Sequence, residues 1–227
     1  MALQAKDVKA LAQGLGADLC GIASADRFGE APAAAHPRTT LPFCRSVIVV
    51  ARRFLHGTAG AGSTIPYTIV RNQLSGILDR LTFDLACELE RLGFVGLPTG
   101  AIGPTNRDPE TGRILGLISL KHAAELAGLG RIGRNTLLVN QRFGNMLWLG
   151  AVLTDAELEP DPPARYRTCP TSCSICLRTC PVQALDGPLM DQAACWNHAF
   201  GTHQGGEWRI KCNACRVACP NAMGLPA

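Results

Sequence analysis

Apolar residues along this chain change their spacing several times, and each change marks an element. Near the N-terminus Val8, Leu11 and Leu15 recur at helical intervals among Lys6, Asp7 and Lys9, which predicts a short helix over Asp7–Gly16 and then a strand over Leu19–Ala23. A polar, Pro-containing loop runs on to Pro42. In Ser46–Phe54 the run Val47, Ile48, Val49, Val50 has no polar alternation, so a strand buried on both faces is expected. After a Gly-rich loop (Gly57, Gly60, Gly62), the positions Val70, Leu74, Ile77, Leu78, Leu81, Leu85, Leu89 and Leu92 repeat with helical period. They predict one long helix over Thr68–Leu92, with Gly93 where a C-terminal cap belongs. Gly96–Gly112 is rich in Gly, Pro, Asn and Asp and reads either as a loop over a pocket mouth or as a solvated connection. A helix over Ser119–Leu126, capped by Ser119 and ended by Gly128 and Gly130, leads to strands over Thr136–Asn140 and Met146–Thr154, joined by a turn at Phe143, Gly144 and Asn145.

From Glu157 the chain turns to Pro and acidic residues (Glu159, Pro160, Asp161, Pro162, Pro163), the composition of a linker, and beyond it cysteine replaces the hydrophobic pattern. With 227 residues the chain can hold one medium domain and one small one, here 1–160 and 161–227. No secretory leader is expected, and no stretch approaches the roughly 20 apolar residues of a membrane span, so the expected location is cytoplasmic. The net charge of +4 is mild, and only four of the 22 basic residues are lysine, which does not mark a nucleic-acid binder.

Eleven cysteines in a reducing compartment point to metal rather than disulfides. Cys169, Cys173, Cys176 and Cys180 form one run, ended by Pro181; Cys195, Cys212, Cys215 and Cys219 form a second, ended by Pro220. In bacterial ferredoxins three close cysteines hold one cubane and the fourth, before proline, reaches across to the other. That crossing predicts one 4Fe-4S cluster on Cys169, Cys173, Cys176 and Cys219 and a second on Cys180, Cys195, Cys212 and Cys215. Three residues separate Cys169 from Cys173 where ferredoxins have two, and sixteen separate Cys195 from Cys212. A pair of four-cysteine zinc sites is the competing reading, although zinc motifs do not call for Cys-Pro at the end of both runs. Cys20, Cys44 and Cys87 stand alone in apolar surroundings and read as buried small hydrophobes. His198 and His203 lie between the runs, either as loop residues or as imidazole ligands. Six basic residues (Arg165, Arg167, Arg178, Arg209, Lys211, Arg216) against three acidic ones between Arg165 and Pro220 suggest a basic rim for an acidic electron donor, such as flavodoxin or ferredoxin, or a merely solvated face.

Gly128, Gly130 and Gly133 spell G-x-G-x-x-G. The segment follows a predicted helix and leads into a strand, the reverse of a dinucleotide-binding turn, so that reading is set aside. The same stretch, Ala127-Gly128-Leu129-Gly130-Arg131-Ile132-Gly133-Arg134-Asn135-Thr136, followed by Gly144, Leu149-Gly150, Thr154-Asp155 and the two cysteine runs, resembles epoxyqueuosine reductases and, more distantly, corrinoid-dependent reductive dehalogenases. The resemblance extends from Gly21-Ile22-Ala23 to Pro220. It implies an α+β protein: a nitroreductase-like α/β domain holding base-off cobalamin, or less readily a flavin, followed by a small ferredoxin-like double-cubane segment that reduces it. By position in the matching segment, Arg134, Asn135, Thr136, Gly144 and Asn145 are the candidate cofactor contacts. Lys121 and His122 could supply a proton. Counting back from Gly128, Ile114 stands where those reductases carry a catalytic Asp, and their C-terminal tRNA-processing repeats do not follow Cys219. Reduction of epoxyqueuosine in tRNA is therefore not expected; the likeness is to the short proteins of anaerobes that carry this cysteine pattern. Three functions stay open: a cobalamin-dependent reductase, a ferredoxin-like electron carrier, and a protein that reduces or delivers a corrinoid.

Overall fold

The computed structural model describes residues 3–187, 189–202 and 205–225. The chain divides into two compact units, one of Met1–Arg52, Leu74–Gly130 and Trp148–Arg165, the other of Arg53–Gln73, Arg131–Leu147 and Tyr166–Ala227. The expected boundary near residue 160 is thus one of several crossings: the cysteine region shares its unit with two earlier stretches of chain.

In chain order α1 (Ala5–Gly14) and β1 (Leu19–Ser24) are followed by a short α2 (Pro37–Thr40) and by β2 (Ser46–Arg53). The long helix α3 (Ile65–Arg91) precedes β3 (Gly96–Pro98), the pair β4 (Asn106–Arg107) and β5 (Ile114–Leu115), and α4 (Leu120–Leu126). Next come β6 (Arg131–Ile132), β7 (Leu138–Val139) and β8 (Leu147–Thr154). The cysteine region carries α5 (Ile175–Thr179), α6 (Gln192–Ala199), β9 (Phe200–Thr202), β10 (Trp208–Ile210) and α7 (Ala214–Val217).

The main sheet runs β1-β2-β8-β3. Strand β2 is internal in that order, and Val47 to Ala51 are wholly buried, which is what its unbroken apolar run requires. Val8 and Ala12 of α1 and Leu78, Leu81, Leu85 and Leu89 of α3 pack in one core with Ile48, Val50 and Val152 of the sheet. Ile77, counted with the apolar stripe of α3, is instead 43% exposed. Gly96–Gly112 is not loop throughout: Leu97 pairs with Leu153, and Pro98 is tolerated because β3 is the sheet's edge.

Two local devices shape the stretch that leads to the cysteines. Gly128 ends α4 in a left-handed conformation (φ 72°); its N–H bonds Glu125 O and the next N–H, of Leu129, bonds Ala124 O, a Schellman cap. The glycine fingerprint therefore closes a helix. Strand β7 then pairs back with β6, Ile132 opposite Leu138, and Asn140 Oδ1 accepts the N–H groups of Arg142 and Phe143 to form the expected turn. Among the described residues no helix is long and apolar enough to cross a membrane.

Candidate metal centre

Short helices separated by tight turns present the eight cysteines of the two runs. Cys176 lies on α5, Cys195 on α6 and Cys215 on α7. The Asp191 carboxylate caps α6 by accepting the Ala194 N–H at 3.0 Å, and Cys195 N donates to Asp191 O. After Cys180-Pro181 the backbone turns through Gln183 at φ 50°, so that Ala184 N donates to the Cys180 sulfur at 3.3 Å.

The thiols act on one another in two groups. Burial raises Cys176 above the usual thiol range, and repulsion from Cys169, Cys219 and Cys173 adds to it. Burial likewise raises Cys219, with Cys169 and Cys173 contributing in the same direction. In the second group burial raises Cys195, helped by Cys180 and Cys212, and pushes Cys215 up to about 11 despite the neighbouring Arg216, with Cys195, Cys212 and Cys180 adding. Thiols grouped in this way suit a cationic centre, and a cluster that gives each thiolate its own iron would supply one. Among the described residues no three His, Cys, Asp or Glu side chains converge on a single-ion site.

The five candidate cofactor contacts all touch the cysteine-bearing segments. Arg134 forks onto the carbonyls of Cys173 (2.7 Å) and Thr171 (2.9 Å). Asn135 Nδ2 donates to Cys215 O at 3.3 Å, and its Oδ1 accepts the Leu137 N–H. Thr136, at φ 58°, sets its hydroxyl 3.9 Å from the Met190 sulfur. Gly144, also at φ 58°, lies so close to the turn after Cys219 that a Cβ there would overlap the carbonyl oxygens of Asn221 and Ala222. Asn145 donates to that turn, backbone N to Ala222 O at 3.1 Å, and its Nδ2 bonds Arg216 O at 3.1 Å.

Other residues of the same unit have no local sequence signal. Asn221 Nδ2 holds Thr168 O at 2.6 Å, Tyr166 donates its hydroxyl to Val139 O at 3.0 Å, and the Thr68 hydroxyl accepts the Ile210 N–H at 3.1 Å. Arg216 does not belong to a basic rim: it is buried, donates to the carbonyls of Asn145 and Leu147, and lies over the rings of Phe54 (5.3 Å) and Tyr67. Trp196, Phe200 and Trp208 form an aromatic ladder, continued by Arg71 over Trp208 at 5.7 Å, and both tryptophans are about half exposed. His198 sits in the last turn of α6; His203 falls outside the described residues.

In the first unit Ile114 is half-buried on β5, opposite Arg107. Ser119 stands at the N-cap of α4, as expected, but its hydroxyl makes no cap bond and meets His122 Nδ1 at 2.6 Å instead. Burial and the Lys121 charge lower the His122 pKa, and burial lowers that of Lys121. His122 and Ser119 line a cavity of about 310 Å³ walled by Phe28, Pro32, Ala35 and Leu126. A second cavity, about 530 Å³, is lined by the ion pairs Arg38–Asp26 and Arg45–Glu157.

No family model matches the chain. It is 27% identical to the epoxyqueuosine reductase of Staphylococcus aureus over 220 residues, which is 90% of this chain and 55% of that protein. The enzyme of Gloeobacter violaceus is 36% identical over 119 residues, 46% of this chain and 36% of its own. The chain thus spans about half, or less, of the curated relatives it matches. Among solved structures, epoxyqueuosine reductase from Streptococcus thermophilus superposes with a TM-score of 0.67 at 19% identity, covering 98% of this chain and 68% of that one. The Bacillus subtilis enzyme, described with its catalytic Asp loop swung out of the active site, gives 0.62 at 20% identity over 96% of this chain and 64% of that one. A reductive dehalogenase described with a mechanism for B12-dependent dehalogenation gives 0.61 at 20% identity, covering 96% of this chain and 30% of its own. The chain is a sequence relative of the epoxyqueuosine reductases, and it shares one mixed helix-and-sheet fold with them and with the reductive dehalogenases.

Proposed function

We propose that this chain is an iron–sulfur redox protein that holds two 4Fe-4S clusters and passes electrons from a low-potential donor to a further cofactor, cobalamin. One cluster is assigned to Cys169, Cys173, Cys176 and Cys219, the other to Cys180, Cys195, Cys212 and Cys215. The observation that carries the assignment is the grouping of the thiols, most of them half-buried, into two sets of neighbours, each taking one member from the other run. When bound, such a cluster supplies a one-electron couple at low potential. The chain's own part is to hold the thiolates in two sets, shield them from water, and fix their loops through Arg134, Asn135 and Asn145.

Cobalamin as the acceptor is supported by the relatives, one of which is described as acting by a B12-dependent mechanism, and not by the two cavities of the first unit, one lined by ion pairs and the other of small-molecule size. In the same reading the first unit is nitroreductase-like, the cysteine region ferredoxin-like and the location cytoplasmic. The half-exposed Trp196 and Trp208, with Arg209 and Lys211 nearby in sequence, suit docking of an acidic flavodoxin or ferredoxin. A second reading, an electron carrier or corrinoid-handling protein without an organic substrate of its own, is favoured by Ile114, which carries no proton at the position matched to the reductases' Asp.

Anaerobic reconstitution with iron and sulfide tests the proposal. Iron and acid-labile sulfide in equal amounts, four of each per cluster, with a brown chromophore that dithionite bleaches, is the expected result. Colourless protein that takes up zinc instead would overturn it. Titration of the reconstituted protein with cob(II)alamin then decides the acceptor, since conversion from base-on to base-off EPR signals is expected only if the corrinoid binds.

A further inference from the structure

The smaller cavity of the first unit is built from two short pieces of chain. From the N-cap of α4 onward Ser119, His122 and Glu125 recur every third position, so they share one face of the helix. The other wall is the stretch from Arg27 to Ala35, held by local turns in which Ala31 N donates to Phe28 O at 2.9 Å and Ala35 N to Pro32 O at 2.8 Å. Arg27 ties the two walls together, its Nη1 donating to Leu126 O at 2.8 Å. Phe28, Pro32, Ala35 and Leu126 make much of the lining apolar, with a few polar groups among them, the usual character of a pre-formed small-molecule pocket. Its volume of about 310 Å³ is that of about ten waters at roughly 30 Å³ each, which suits a ligand of about ten non-hydrogen atoms.

Charge decides what kind of ligand. Arg27 lines the cavity, but its Nη1 is committed to the carbonyls of Leu126 and Asp161, the latter at 2.5 Å. Glu30 and Glu125 bring two carboxylates, so the lining is negative on balance. His122 does not offset them: burial and the Lys121 charge lower its pKa, and its Nδ1 already meets the Ser119 hydroxyl at 2.6 Å. We propose that this cavity binds a small primary amine with an apolar body, the ammonium held by the carboxylates of Glu125 and Glu30 and the hydrocarbon by the wall of Phe28 and Leu126. An ammonium has three donors and no acceptor, which matches a lining rich in acceptor oxygens, whereas an anion of the same shape meets like charge. The larger cavity differs, because Arg38 and Arg45 there neutralise Asp26 and Glu157. The proposal does not rest on the two-cluster reading.

The test is anaerobic isothermal titration calorimetry of the reconstituted protein with phenethylamine as the probe. Phenethyl alcohol and phenylacetate are run beside it, since they keep the ring and replace the ammonium with a hydroxyl or a carboxylate. Saturable binding of the amine near one equivalent is expected, with the alcohol about tenfold weaker, the size of one charge-assisted hydrogen bond, and no binding of the acid. Glu125→Gln should weaken the amine about tenfold and leave the alcohol unchanged. Ala31→Leu, which fills part of the cavity, should weaken both, and Glu159→Gln, in the larger cavity, neither. An amine that does not bind, an alcohol that binds as well as the amine, or an affinity indifferent to both Ala31→Leu and Glu125→Gln would overturn the proposal. Should a variant fail to fold, the three probes on wild-type protein still decide between amine, neutral and anionic ligands. Iron content, measured on the same samples, reports the clusters separately, so the two readings fail independently.

Discussion

Gly144→Ala tests how tightly the cysteine region is seated on the turn between β7 and β8. Two costs add at this position. A non-glycine residue at φ 58° costs roughly 1–2 kcal/mol, and the new methyl overlaps the carbonyl oxygens of Asn221 and Ala222, a backbone crowding that typically costs about 1–3 kcal/mol. The sum, about 2–5 kcal/mol, is a large part of the 5–15 kcal/mol by which a domain is ordinarily stable. Gly112→Ala separates the two, because Gly112 has a similar φ of 67° but open space where its Cβ would stand, so only the first cost of roughly 1–2 kcal/mol applies. Gly57→Ala, with neither strain nor contact, is the neutral reference. Urea unfolding of the reconstituted proteins under anaerobic conditions, followed by far-UV circular dichroism and by loss of the cluster chromophore, measures the difference. Gly144→Ala should unfold at a midpoint lower than Gly112→Ala by about 0.5–1.5 M, the crowding cost of about 1–3 kcal/mol divided by a slope of about 2 kcal/mol per M. Coincident midpoints for these two variants would refute the carbonyl-crowding argument.

Arg134→Lys exchanges a planar fork for a point charge and should lose one of the bonds to Cys173 O and Thr171 O, costing about 1–3 kcal/mol; a chelator should then strip iron about tenfold faster, read as the decay of the chromophore. Asp161→Ala removes the acceptor of both Lys9 Nζ (2.5 Å) and the Ile22 N–H (2.8 Å) and leaves a buried backbone donor unpaired, so the melting temperature should fall, by an amount corresponding to about 1–3 kcal/mol. For His122 the folded pKa lies below the ordinary value because of burial and the charges of Lys121 and Arg113, against which Glu125 acts. The unfolded chain therefore binds the proton first, and stability should fall as pH drops below about 6.5. His122→Gln should flatten that part of a urea-midpoint-against-pH curve, and an unchanged slope would count against the burial.

The parts of the molecule that local pattern dictates were legible in the sequence. Strand β2 and helix α3 follow from an unbroken apolar run and a helical repeat, because both are buried by their own side chains wherever the rest of the chain goes. The pairing of β7 with β6 was not legible, since two-residue ladders leave too short a pattern and Thr136 interrupts the strand with a positive φ. The cysteine runs announced themselves by spacing. What seats them did not: Thr68 meets Ile210, Asn145 meets Arg216 and Asn221 meets Thr168 across 142, 71 and 53 positions, and single ordinary polar residues leave no periodic trace at such separations. The glycine segment invited a ligand-binding reading for the same reason, since the need for a helix cap at Gly128 and for close approach at Gly144 is visible only once the partner backbone is in place.

The threading of the second unit through three separate stretches of chain also orders events in time. A polypeptide is made from its N-terminus, so Thr68, Asn135 and Asn145 have all left the ribosome before the first cysteine of the runs appears. Cys215 and Cys219, the last members of the two quartets, are only four positions apart in the sequence. On the two-cluster proposal, iron arriving during synthesis would find both sets open until almost the same moment, so metal loading would be a late event that completes both sites together.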